Sequence, residues 1–207
     1  MTYQLDETGE IRGQHLLGET VILSEKDCRG LRDSTLTSGT LKLAQRSTKW
    51  PIIIVRCTVK DSEVIAVKDQ KSDRLFQARF INCRFHGLFS GVDFGSTDRS
   101  QLGEDFGGAE GCDFTDATLD GCRFFNVDAS TLRFPAWPHV VLHDFAKRAQ
   151  DVAVASWPGK LGQYMRVCAD QPESMKVSVI HVPSIAKLVA CTEEQAREAF
   201  EKIGLVR

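Results

Sequence analysis

Between residues 92 and 134 the chain keeps a register of five. Small or aliphatic residues mark one position, among them Val92, Cys112, Ala117, Cys122, Val127 and Leu132. Two residues after each of these stand Phe94, Phe114, Leu119, Phe124, Ala129 and Phe134. The other three positions of each five are mostly polar. The clearest stretch reads CDFTD-ATLDG-CRFFN-VDAST-LRF. Upstream, Ala78/Phe80 and Cys83/Phe85 carry the same pair before the register slips by one residue through residues 88–91. Five matches neither the helical period of 3.6 nor the strand period of 2.0. A coil with four straight sides accounts for it. Each side takes five residues, one coil takes about twenty, and coils stack at the β-spacing of about 4.8 Å. The interior predicted by this register contains Phe80, Cys83, Phe85, Phe94, Cys112, Phe114, Ala117, Leu119, Cys122, Phe124 and Phe134.

These residues resemble the pentapeptide-repeat family, whose units read roughly Ala-(Asp/Asn)-Leu-x-x. The resemblance implies a right-handed quadrilateral β-helix and is most specific over residues 112–134. A different β-solenoid, or an antiparallel sandwich with coincidental spacing, is the competing architecture. Arg99 and Glu104 fall on central positions that should be apolar, so the Gly-rich residues 95–111 are expected to leave the coil as a loop. Upstream, Leu31, Leu36 and Leu41 are five apart, as are Ile54, Val59 and Val64. Residues 51–67 are rich in β-branched side chains and read as strand. This half is either a set of imperfect coils or a cap on the N-terminal end.

A stack of coils exposes a sheet edge and an apolar cross-section at each end. Trp50, Trp137 and Trp157 each precede a proline, which donates no ladder hydrogen bond. Pro135 and Trp137-Pro138 follow the last clean repeat, so Trp137 is the expected lid. Beyond it, Val141, Leu142, Phe145, Ala149 and Val152 form a stripe at helical spacing. Residues 157–172 read as a link, 176–182 as a strand and 184–190 as a short helix. Thr192 to Gln195 has the pattern of a capping box opening a last helix, which Gly204 closes. The expected fold is mainly β, a right-handed β-helix with a C-terminal α-helical region. Residues 1–20 would be an extension, 21–134 the coil and 135–207 a mainly helical cap.

Composition narrows the function. The 207 residues carry 26 Lys+Arg against 28 Asp+Glu, a net charge of -2, which does not suit a generally basic nucleic-acid binder. No apolar run approaches the length of about 20 residues that a membrane helix needs. Seven cysteines without a C-x-x-C pair fit a reducing cytoplasm better than a disulfide framework. Four of them, Cys57, Cys83, Cys112 and Cys122, take small interior positions, where thiols act as buried hydrophobes.

His139 and His143 would share a helix face, but two ligands do not complete a zinc site, and neither metal nor cofactor is expected. No phosphate loop or nucleophile elbow is present, so no catalytic residue is assigned. Charge is unevenly distributed: Asp93, Asp98, Asp113, Asp116, Asp120 and Asp128 lie in a segment whose only bases are Arg99 and Arg123. These acids are the candidate docking surface for a basic partner. The leading expectation is therefore a cytoplasmic, non-enzymatic β-solenoid that binds another protein as an interaction, regulatory or immunity-type module.

Two alternatives stand beside it. Some members of the resembled family mimic duplex DNA and bind type II topoisomerases such as gyrase. Residues 185–206 also resemble the helix-turn-helix half of winged-helix regulators, although Glu193, Glu194, Glu198 and Glu201 would repel phosphate. A homodimer through the C-terminal helices is expected if their apolar stripes lack a surface within the chain.

Overall fold

The protein is described here by a computed structural model that covers residues 3–44, 52–70, 75, 77–96 and 106–206. Its first nine strands come in three sets of three. These are β1 (Glu10–Arg12), β2 (His15–Leu17) and β3 (Thr20–Leu23), then β4 (Gly30–Arg32), β5 (Thr35–Thr37) and β6 (Thr40–Leu43), then β7 (Ile53–Val55), β8 (Cys57–Lys60) and β9 (Glu63–Gln70). Each strand pairs in parallel with its counterpart in the next set. Ile11 lies beside Leu31 and Leu31 beside Ile54. Leu16, Leu36 and Val59 form a second column, and Val21, Leu41 and Val64 a third. All of these side chains are buried. Strand pairing thus begins at Glu10, inside the stretch expected to be an extension, and strands within residues 30–43 and 53–66 take part in the coils.

The stack continues through β10 (Ala78–Ile81), β11 (Arg84–Ser90), β12 (Asp93–Gly95), β13 (Gly108–Glu110), β14 (Ala117–Asp120) and β15 (Cys122–Phe125). Sheets of order β13-β10-β8-β5-β2 and β14-β11-β9-β6-β3 run the length of the array. A third sheet stops at β7, while a fourth begins at β12. The architecture is therefore β-helix-like, but the described strands do not close into the expected four-sided tube. In the first coil the remaining side is a turn, in which Ser24 Oγ donates to Asp27 and Leu23 bridges Cys28. Within the residues 95–111 expected to leave the coil, Gly95 ends β12 and 108–110 form β13; Asp98, Arg99 and Glu104 lie outside the described residues. The slip at 88–91 has a local cause. β11 and β9 change register between Gly87 and Phe89. Gly87 has φ +91°, and a Cβ there would meet Ala66 O at 2.4 Å.

Corners need polar groups to satisfy backbone that the ladders leave unpaired. Ser62 Oγ donates to Lys60 O (2.6 Å) and accepts from Gly39 N–H (3.1 Å) in the preceding coil. Ser34 does the same with Arg32 O and Gln14 N–H. Cysteine takes this corner position elsewhere: Cys57 Sγ reaches Val55 O, and Cys83 Sγ lies within 3.2 Å of Val59 O. The interior cysteines are thus more than small hydrophobes, since each places a weak donor against a carbonyl.

Rings fill the distal interior. Phe85 stacks on Phe114 with centroids 4.3 Å apart, and Phe94 on Phe124 at 4.8 Å. Between those columns the rings meet edge to face, Phe94 to Phe114 at 5.3 Å and Phe114 to Phe124 at 5.1 Å. Phe134 packs on Phe114 and Phe124 from the last coil. Both geometries suit the quadrupole of an aromatic ring.

The C-terminal region departs from the expected helical tail. Residues 139–143 form β16 (His139–His143), not a helix, and only a short α1 (Ala149–Val154) follows. The expected link contains α2 (Leu161–Ala169). β17 (Met175–His181) runs antiparallel between β15 and β16 and ends the parallel array. α3 (Val182–Val189) and α4 (Glu193–Lys202) follow, the latter opened by the Thr192/Gln195 capping box. β17 serves two cores. Val177 and Val179 pack on the coil interior, while Ile180 joins Val140, Leu142, Phe145, Met165 and Phe200 in a second cluster. These two valines, with Val141, close the last coil. Trp137 does not: it remains 37% exposed, beneath the Arg197 guanidinium 4.9 Å from its ring centre. Val182, Ile185 and Val189 of α3 and Ala196, Ala199 and Phe200 of α4 pack within the chain, while Leu188 of α3 stays 74% exposed.

Because Phe114 touches Phe85, Phe94, Phe124 and Phe134, Phe114→Ala should cost about 3–5 kcal/mol in urea unfolding. Leu17→Ala, on a side chain 75% exposed, should stay within about 0.5 kcal/mol.

Candidate functional site

The acids singled out in the sequence do not share one open surface. Asp93 is 6% exposed and is held by Arg123 through two bonds, Nε to Oδ1 at 2.7 Å and Nη2 to Oδ2 at 2.8 Å. Asp113 is 8% exposed and takes Arg133 and Thr115 as partners. Burial alone would raise the Asp113 carboxyl. Hydrogen bonds from the Thr115 backbone and hydroxyl, with the charges of Arg133 and Arg84, outweigh it and leave the group below its ordinary value. Both residues therefore leave the proposed docking surface, because a carboxylate folded into the coil must be paired. Asp98 lies outside the described residues. Asp128 caps the turn at 129–131 by accepting from Ser130. Asp116 and the half-buried Asp120 remain at the surface.

A different group assembles on the outer side of β9 and β11. Arg84 donates to Asp116 Oδ2 from Nη2 (2.6 Å) and Nε (3.0 Å), and Asp116 holds the guanidinium above its ordinary range. His86 Nε2 bonds the Glu63 carboxylate, and its Nδ1 lies 4.0 Å from Asp116. Alternation places these side chains outward, since Val64 and Phe85 between them point to the core.

Next to this network a groove of about 590 Å³ follows the corner between the two long sheets. Its walls include Ser38, Thr40, Asp61, Glu63, Asn82 and Arg84. The corner column Gly18, Ser38, Asp61, Asn82 and Gly111 has positive φ throughout, which brings successive corner side chains into line. Asn82 Nδ2 donates to Asp61 Oδ1 at 3.0 Å across one coil step. Asp and Asn tolerate this left-handed geometry better than bulky residues. The groove is a polar cleft with two carboxylates and several hydroxyls, suited to a hydrogen-bond donor or a cation. Sequence reasoning missed it. The available signal was the recurrence of Ser, Asp and Asn at one corner offset.

Burial pushes Cys57 up to about 11 and Cys122 up to about 12, the opposite of what a thiolate nucleophile needs. Cys83 and Cys112 share a contact: that contact and burial push Cys83 up, and the same contact lowers Cys112 against its burial. His139 and His143 lie on a strand, and among the described residues no cluster of three or more His, Cys, Asp or Glu could hold a metal ion. On α4, Arg197 is engaged by Glu201 at 2.9 Å and by Trp137, while Glu193, Glu194 and Glu198 are exposed. Among the described residues no helix is long and apolar enough to cross a membrane.

No protein-family model and no curated protein matches the chain. Among solved structures there is a slight likeness to full-length QnrB1, a plasmid-mediated fluoroquinolone resistance protein. It has 15% identity and a TM-score of 0.19, covering 61% of this chain and 82% of that one. A likeness of this size carries no argument about function.

Arg123→Ala strands the buried Asp93 carboxylate and should cost about 1–3 kcal/mol in denaturant unfolding. Arg84→Ala, at an exposed pair, should leave the midpoint unchanged. Asp113 binds its proton less readily folded than unfolded, so its contribution is present above pH 3.8 and fades as the pH falls through its lowered value. Asp113→Asn should therefore be less stable than wild type at pH 7, and the gap should narrow on acidification, as read from urea midpoints.

Proposed function

We propose that this chain is a non-enzymatic, protein-binding β-helix of the pentapeptide-repeat kind, and that a partner lies along the corner groove with a basic side chain between Asp61 and Glu63. One observation carries the reading. Ser38, Asp61 and Asn82 line up over three successive coils and open onto the Glu63–His86–Arg84–Asp116 network. The groove is built on parallel ladders, so it costs little ordering entropy when a partner is bound. Its carboxylates give it a preference for a cation. The five-residue register of Phe85, Phe114 and Phe134 stacked coil upon coil supports the family reading.

The test compares wild type with Asp61→Lys/Glu63→Lys in affinity capture from native cytoplasm, followed by calorimetry with the partner so identified. The double variant should bind at least tenfold more weakly, about 1.4 kcal/mol, and the wild-type affinity should fall with added salt. Retention of the same partner at the same affinity would refute the assignment of the groove. Turnover of a small molecule by the purified protein would refute the binding role.

A further inference from the structure

β14 is the C-terminal edge strand of its sheet. An edge strand carries backbone groups that must be covered, or it templates unwanted pairing. Here the cover is one imidazole. Leu119 N–H donates to His139 Nε2 at 3.2 Å. With Nε2 accepting, the ring proton sits on Nδ1, which faces Ala136 O at 3.2 Å. His139 is therefore held as the neutral tautomer. It pairs across the β16–β17 ladder with His181, the two ring centroids lying 5.0 Å apart. His181 Nδ1 is in turn 2.9 Å from Ser184 Oγ, in the first turn of α3. Beside them, Val182 N–H donates to Pro138 O. Two imidazoles thus stand where the last coil, β16, β17 and α3 converge.

We propose that His139, with His181 beside it, is an acid-sensitive latch that holds the C-terminal region against the last coil and releases it on protonation. A proton on Nε2 removes the acceptor and sets one N–H against another. It also places a positive charge next to a second imidazole. The ionisable groups acting on His139 are His181 from β17 and Asp120 from β14. Burial is the largest influence and lowers the affinity of His139 for a proton, and His181 lowers it further. The Ala136 carbonyl and Asp120 pull the other way without prevailing. The folded chain therefore binds this proton less readily than the unfolded chain. The latch contributes fully above pH 6.5, the ordinary histidine value, and its contribution is lost as the pH falls below that.

Proton NMR of the full chain between pH 7.5 and 5.0 tests this. The His139 ring should titrate with a midpoint below 6.5, and the Leu119 amide proton should shift with the same midpoint. In His139→Gln, whose amide oxygen accepts without titrating, the Leu119 shift should no longer follow pH. His181→Asn should raise the His139 midpoint by removing the neighbouring imidazole. Hydrogen exchange of residues 139–143, corrected for intrinsic rates, should accelerate at least tenfold relative to β9 over the same range. Three results would each overturn the latch: a wild-type His139 midpoint at or above 6.5, a Leu119 titration that survives in His139→Gln, or an exchange ratio that does not change with pH.

Discussion

The spacing of a parallel ladder sets what this molecule can contain. Strands in successive coils sit about 4.8 Å apart, so every inward side chain must rest on its counterpart one coil away. Flat rings meet this requirement well, as Phe85 on Phe114 at 4.3 Å and Phe94 on Phe124 at 4.8 Å show. Leucine, isoleucine and valine meet it in the first coils, where Ile11, Leu31 and Ile54 form one column. Corners impose the complementary demand. There the backbone turns away from its ladder, and a serine hydroxyl or cysteine thiol supplies the missing partner. Core and corner together explain why large apolar and small polar residues alternate along each side.

A parallel stack does not end by itself, because its last coil presents both an apolar section and a row of unpaired backbone groups. This protein resolves both with one inserted strand. β17 pairs antiparallel to β15, lays Val177 and Val179 over the rings and turns Ile180 to the opposite side. The C-terminal helices then pack on that opposite side. β17 is buried on both faces for this reason, Ser178 included. The remaining edge at β14 is met by His139, which makes the junction depend on a group that changes charge near neutral pH.

Charge is used in two ways. Asp93 and Asp113 are drawn inward and neutralised by arginines from neighbouring coils, so they serve the stack. Glu63, Arg84, His86 and Asp116 stay outside, linked to one another and open to solvent beside the corner groove. Their order across the coils follows from the ladders, which fix each backbone position. A surface of this kind can be read by a partner without first being ordered.

The five-residue register was enough to place Phe80, Phe85, Phe94, Phe114 and Phe124 inside, because a period that fits neither helix nor strand leaves few geometries that bury two residues in every five. The Thr192/Gln195 cap was equally legible, since both of its partners lie within one helical turn. Residues 139–143 were not. The spacing of Val141, Leu142 and Phe145 suits a helix locally, and only β17, some forty residues further along the chain, makes it a strand. The short strands ahead of residue 21 were hidden because three residues are too few to show a period. The pairing of Asp93 with Arg123 and the lining of the groove were hidden for a related reason. Each joins residues one or more coils apart, and the length of each coil is set by its turns. Local pattern determined which side chains turn inward; stacking distance, decided only when the coils lie on one another, determined which of them meet.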